Sequence, residues 1–293
     1  MKDKVLVTGS KGFIGKHLVK HLYDKGYDVI GTDFIDGDLR VDGVADFLVR
    51  YYEPSVVIHL AAQVGIYFNE QDVVHSVNSN TIMTIRVAKA AAKYGARLIH
   101  TSTSEVYGKA GEQVLDEDAP LVYEPTGIYA ISKRWSEDAA REYAPDGLAI
   151  IRPCMPYGPG CPPGVGRRAL DNMLWQAHHR KPIPVHRGAE RSWCWVGDLC
   201  AGYETILRTG ATGAFNVGRD DDYRTMTHIA LRACDIAGAS HRLVCEVDPP
   251  KRKTMVKRLS TQKLRKLGWE PTVSLEVGMP IVYEWVKNYK WHE

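Results

Sequence analysis

The chain has 293 residues, 44% of them hydrophobic and 25% charged, with a formal net charge of +3. This composition supplies a sizeable core for one large domain or two unequal ones, and it does not indicate disorder. The mild positive charge allows an anionic small substrate without calling for nucleic acid, and no apolar stretch reaches the length of a membrane span.

The start, Met1-Lys2-Asp3-Lys4, runs directly into a strand with no visible signal peptide, so a cytoplasmic location is expected. Val5-Leu6-Val7 is a short apolar run ending at Thr8-Gly9, the pattern of a buried parallel strand. From Phe13 to Lys25, Ile14, Leu18, Val19 and Leu22 recur at helical spacing, and Gly26 stops the helix. Further strands are expected at Asp28–Ile30, ending at Asp33, at Val56–Ile58, at Arg97–Ile99 and at Leu148–Ile151. Helices are expected over Asn80–Tyr94 and Ile128–Tyr143. After Arg152, prolines and glycines at 153, 156, 158–160, 162–164 and 166 break regular structure. A helix over Val196–Leu207 and a strand over Ala214–Val217 then return to the main sheet. Strands alternating with helices give an α/β fold, a doubly wound parallel sheet of the Rossmann type, with a smaller C-terminal substrate domain. The expected division is 1–152 plus about 189–218 for the dinucleotide, and 153–188 with 219–293 for the substrate.

Gly9-x-x-Gly12-x-x-Gly15 lies between the first strand and the first helix. Glycines there let the backbone approach a pyrophosphate, and the free N–H groups of the helix start at Phe13 and Ile14 face the anion. Asp33 ends the second strand, where a carboxylate accepts hydrogen bonds from the adenosine ribose and repels a 2′-phosphate, which favours NAD over NADP. Lys11 is a modest hint the other way, and Asp38-Leu39 is a candidate contact to adenine or else a solvated loop.

Thr101-Ser102-Thr103-Ser104-Glu105 precedes Tyr129-Ala130-Ile131-Ser132-Lys133. Tyr129 and Lys133 share one helix face. A phenol, with an ordinary pKa near ~10, needs nearby positive charge to act as a base at neutral pH. A hydroxyl from Thr103, Ser102 or Ser104 holds the substrate oxygen. This is hydride chemistry on an alcohol carbon.

Six cysteines, at 154, 161, 194, 200, 234 and 245, form no Cys-x-x-Cys pair, as expected of free thiols in a reducing compartment. His17 and His21 are spaced i, i+4 without a zinc signature around them, so no metal site is expected.

These residues resemble the extended short-chain dehydrogenase/reductase family, in its NAD-dependent sugar-nucleotide epimerase/dehydratase branch. The resemblance runs from Val7–Gly15 through His59-Leu60-Ala61-Ala62, Val77-Asn78 and Tyr129–Lys133. It continues in Tyr157-Gly158-Pro159, Arg191–Asp198, Asn216-Val217-Gly218 and Leu267-Gly268-Trp269-Glu270-Pro271. It implies that Thr103, Tyr129 and Lys133 are catalytic and that Leu60, Ala61, Ala62 and Asn78 line the NAD site. It implies that Ser104 and Glu105 belong to the dehydratase and decarboxylase version of the motif, where Glu105 abstracts a proton next to a new ketone. Arg191 matches an arginine that grips a nucleotide-sugar diphosphate, and Arg252 or Arg258 is a second candidate. The acid-free basic segment Pro249–Trp269 is either a polyanion clamp or a solvated face. Arg152 is kept, but Met155 stands where the family often has a substrate-binding asparagine. The chain is short for the branch between Asp33 and Val56. The helices Asn80–Tyr94 and Ile128–Tyr143 resemble those of a homodimer interface. The implied function is transient oxidation of a nucleotide sugar. The rivals are a reductase of a 4-keto nucleotide sugar, a dinucleotide-sensing protein without activity and a basic nucleic-acid binder.

Overall fold

The structure, a computed structural model, describes residues 3–109, 113–121, 126–144, 146–164, 168–249 and 254–289. Its centre is a six-stranded sheet, parallel throughout. β1 (Lys4–Thr8) lies between β2 (Asp28–Thr32) and β3 (Val56–His59). β4 (Arg97–Thr101) follows β3, and the strands Ala149–Pro153 and Gly213–Val217 complete that side. The order therefore reverses between β1 and β3, and open α/β sheets bind ligands in the crevice at such a switch point.

Both sheet faces are covered, which is why the central strands are apolar without alternation. Val5 and Val7 point to one side, against Leu18 and Leu22 of α1 (Phe13–Asp24) and Leu199 and Tyr203 of the helix Val196–Thr209. Leu6, Val57 and Leu98 point to the other. There they meet Leu48 and Val49 of α2 (Val44–Tyr52), Val87 and Ala91 of the helix Met83–Lys93 and Ala140 of the helix Ile128–Tyr143. Full burial of side chains such as Leu18 and Leu22 contributes about 1.5–3 kcal/mol each.

A separate core forms around Leu170, Leu174, Trp193, Ile229, Met279 and Val282. Beside it a small mixed sheet places the strand Val256–Leu259 between the strands Glu190–Ser192 and Val114–Leu115. In that register Lys257 lies opposite Arg191 and Arg258 opposite Val114. Among the described residues no helix is long and apolar enough to cross a membrane.

Two local features depart from the sequence pattern. The segment expected to be one helix from Asn80 begins instead as a π-helical turn, Asn78–Ile82, before the regular helix Met83–Lys93. Asn80, Thr81 and Thr84 hydrogen-bond within and across this wider turn. The short stretch between Asp33 and Val56 holds α2, whose Ala45, Leu48 and Val49 are buried.

Candidate active site

Gly9 follows β1 at φ +71°, and a Cβ placed on it would lie 2.8 Å from the nitrogen and 2.9 Å from the Cα of Ala61. A Cβ on Gly15 would lie 2.2 Å from the oxygen of Gly9. The loop thus folds against Leu60 and Ala61 at the switch point, and it closes because side chains are missing. Gly12 is the N-cap of α1, and Phe13 and Ile14 open the helix. Asp33 fixes the other edge: its carboxylate accepts from the backbone N–H of Lys11 at 2.8 Å and of Phe34 at 2.8 Å. An acidic residue, a helix start and a cradle that any Cβ would fill fit a dinucleotide with a free ribose diol. Asp38 is gripped by Arg40 at 2.9 Å, and that hydrogen bond lowers its carboxyl below the ordinary value. Leu39 points into the core.

Asn78, the candidate cofactor contact, lies exposed on the π-turn. Asn80 is buried instead: its oxygen accepts from the Gln63 N–H at 2.9 Å and its amide donates to the Ser132 hydroxyl at 2.9 Å.

Thr103, at the end of the chain segment leaving β4, caps a 3₁₀ turn Ser104–Tyr107 and accepts from the Glu105 N–H at 3.3 Å. The helix Ile128–Tyr143 is capped by Glu70, which accepts from the Ile128 N–H at 2.9 Å, so Tyr129 sits in its first turn. Burial pushes the Tyr129 phenol up to about 12; a hydrogen bond with Thr103 opposes this and the Glu105 charge adds to it. Burial brings Lys133 down to about 8, partly offset by Glu137. Lys133 donates to the Thr101 carbonyl. The structure therefore brings Thr103, Tyr129 and Lys133 together at the carboxyl ends of the sheet, while the buried Ser104 hydrogen-bonds Cys154.

Glu105 meets Lys257 at 2.5 Å, a charge contact rather than an aligned hydrogen bond, and accepts from Thr126 at 3.0 Å. Burial raises its carboxyl, but Lys257 and Arg191 outweigh this and hold it below the ordinary carboxylate range. Arg191 is 6% exposed and donates to the carbonyls of Glu190, Thr254 and Met255, the last at 2.7 Å. Arg258 pairs with Glu190 at 2.5 Å. Arg252 lies outside the described residues. Met155 takes a left-handed backbone, φ +38°, and packs its thioether between two cores.

Three further residues matter that composition and spacing did not single out. Lys257 is a buried cation of the basic segment, at an inward position of a strand whose neighbours alternate in burial. Glu137 continues the Tyr129–Lys133 face by one more turn and pairs with Arg152 at 2.7 Å, both buried. Arg168 stacks its guanidinium 3.2 Å above the Phe13 ring, joining the loop-rich segment to the glycine turn.

A glycine cradle at the switch point of a doubly wound sheet, leading to a Thr–Tyr–Lys cluster, defines a dinucleotide-dependent enzyme of alcohol carbons. Residues 5–218 match the NAD dependent epimerase/dehydratase family, and the chain belongs to that family. It is 30% identical over 315 residues to UDP-glucuronic acid decarboxylase 2 of Arabidopsis thaliana, covering 98% of this chain and 68% of the relative. DesIV, a dTDP-glucose 4,6-dehydratase from Streptomyces venezuelae with NAD bound, superimposes with a TM-score of 0.84 at 25% identity, over 97% of this chain and 96% of that one. The UDP-glucose 4-epimerase of Thermus thermophilus in complex with NAD gives 0.88 at 24%, over 97% and 99%, a likeness of fold. The cofactor of the family is NAD.

Proposed function

We propose that the protein oxidises a nucleotide-activated sugar transiently at a secondary alcohol and rearranges it beside the new ketone, as an epimerase, dehydratase or decarboxylase. The convergence of Thr103, Tyr129 and Lys133, with an ionised Glu105 next to them, carries this reading. Thr103 orients the substrate hydroxyl and Tyr129 takes its proton. Lys133 supplies the positive charge that brings a phenol of about 12 toward the neutral range. NAD, when bound at Gly9–Gly15 and Asp33, supplies the hydride acceptor. The carbonyl acidifies the neighbouring C–H, and Glu105, kept ionised, takes that proton. Ser104 is the further candidate hydroxyl, next in sequence to Thr103. The nucleotide-sugar class rests on the names of the relatives, a UDP-glucuronic acid decarboxylase and a dTDP-glucose dehydratase. Arg191 is the candidate diphosphate ligand, and Asp33 argues against an NADPH-consuming reductase.

The segments 1–152 and 189–218 are assigned to the cofactor, and 153–188 with 219–293 to the substrate. A homodimer through the helices Met83–Lys93 and Ile128–Tyr143 accords with Trp135, 50% exposed on the latter, and is read by light scattering. The free thiols accord with the cytoplasm.

The protein is denatured and its released ligand identified by mass spectrometry. It is then incubated with UDP-glucuronic acid, UDP-glucose and dTDP-glucose. Near-stoichiometric NAD and conversion of one sugar are expected. Tyr129→Phe should lower turnover by about 10²–10⁴-fold while NAD stays bound. Unchanged turnover in that variant refutes the assignment.

A further inference from the structure

Asp171 stands in the first turn of the helix Ala169–His178. Its side chain is 0% exposed, and neither carboxyl oxygen makes a hydrogen bond. A carboxylate is costly to bury in that way unless a cation lies beside it. Arg168 is that cation, with its Nε 3.6 Å from the Asp171 Oδ2. A first-turn acid also suits the positive end of a helix, but that reading leaves the arginine without a reason for its place. Arg168 donates from Nη1 to the Pro156 carbonyl at 2.9 Å, while its buried Nε and Nη2 make no hydrogen bond. Its guanidinium carbon lies 3.2 Å above the Phe13 ring.

Phe13 opens α1 directly after the N-cap Gly12, at the turn assigned to the cofactor pyrophosphate. Other contacts hold the same ring. The His17 ring meets it edge-on at 5.4 Å, and a Cβ on Gly158 would lie 3.6 Å from it. Asn172, next to Asp171, holds Gly164 through bonds of 2.7 and 2.9 Å. The proline-rich loop and the helix Ala169–His178 are thus fastened to the glycine turn through one arginine and one ring. We propose that Asp171 is a positioning residue of the cofactor site, which holds the Arg168 guanidinium over Phe13 and so fixes the helix start that receives the pyrophosphate. Without the carboxylate, Arg168 is a buried cation with a single hydrogen bond, and it turns outward to water and leaves the ring. The inference concerns NAD binding and stands apart from the role of Tyr129.

Burial pushes the Asp171 carboxyl up to about 6, and Arg168 opposes this. Arg168 is the charged side chain acting on it among the described residues; Ile229 and Met279, from the two helices packed on its own, are apolar, and His17 contacts Phe13. The ionised carboxylate that holds Arg168 is therefore lost as pH falls through about 6. The test is calorimetry of NAD binding to the full chain freed of nucleotide. At about pH 7.5, Asp171→Asn should bind NAD about tenfold more weakly than the natural protein. At about pH 5 the difference should shrink to about twofold, because the natural carboxyl is then largely protonated. Taking the ratio of the two proteins cancels titrations they share, that of His17 included. Arg168→Met should weaken NAD binding to a similar extent, and the double variant no further, since the two side chains act as one unit. Equal or tighter NAD binding by Asp171→Asn, or a deficit of the same size at both pH values, overturns the proposal. If Asp171→Asn does not fold, Arg168→Met decides, and natural NAD affinity in that variant overturns the proposal equally. Either failure leaves the Tyr129 assignment standing, because Tyr129→Phe is read by turnover and not by NAD affinity.

Discussion

Arg152→Met tests how the helix Ile128–Tyr143 is held. Glu137, one turn beyond Lys133, is 0% exposed and pairs with Arg152, 3% exposed, through bonds of 2.7 and 2.9 Å. Arg152 also donates to the Tyr107 hydroxyl at 2.9 Å, and Tyr107 donates to Asn216 at 2.8 Å, so the pair ties the helix to the strands Ala149–Pro153 and Gly213–Val217. Removing Arg152 leaves Glu137 with Arg141, which is 42% exposed. Breaking a buried pair costs roughly 3–5 kcal/mol at neutral pH. The pH dependence follows from the carboxyl. In the native protein burial raises Glu137, but Arg152 outweighs this and holds it below its ordinary 4.5. Without Arg152, burial wins and the folded value rises above the unfolded one. The destabilisation is then full well above that raised value and shrinks as pH falls through it toward 4.5, because the native carboxyl takes up a proton. Urea unfolding at about pH 7.5 and pH 5 reads both quantities. The double change Arg152→Met with Glu137→Leu should recover most of the loss, since no buried charge is left alone. A loss under about 1 kcal/mol, or one independent of pH, refutes this account of the pair.

Gly9→Ala places a side chain at φ +71° and 2.8 Å from the Ala61 nitrogen, so the loop must move. The variant should lose about 1–2 kcal/mol from the left-handed backbone alone and bind NAD at least about tenfold more weakly, read by thermal melting and calorimetry. Asp33→Ala removes the carboxylate that anchors the Lys11 N–H; the preference for NAD over NADP should fall about tenfold in fluorescence titration, and an unchanged ratio removes Asp33 from ribose selection. Lys133, brought to about 8 by burial, loses its charge as pH rises through that value. Reduction of bound NAD by substrate should therefore decline above it, and Lys133→Arg should shift the decline upward. A rate flat from about pH 7 to 9.5 counts against this role.

The strands β1–β4, α1 and the Tyr129 helix were legible because their signals are local. Buried parallel strands read as apolar runs, and Tyr129 and Lys133 meet through the pitch of a single helix. The glycine turn was legible for the same reason, since its spacing is fixed within one strand–helix connection. The π-turn Asn78–Ile82 was not legible, because a regular helical count cannot show it, and hydrogen bonds of Asn80 with Gln63 and Ser132 on distant elements accompany that turn. The basic segment showed its charge but not its roles. Only the pairing of Val256–Leu259 beside Glu190–Ser192 separates Lys257, facing Glu105, from Arg258, facing Glu190. Sequence by itself determined the cofactor class and the shared helix face of Tyr129 and Lys133, through contacts within a few residues. Tertiary structure alone decided the electrostatic partner of Glu105, because the Coulomb field depends on distance in space and Lys257 approaches Glu105 only after the second sheet has formed.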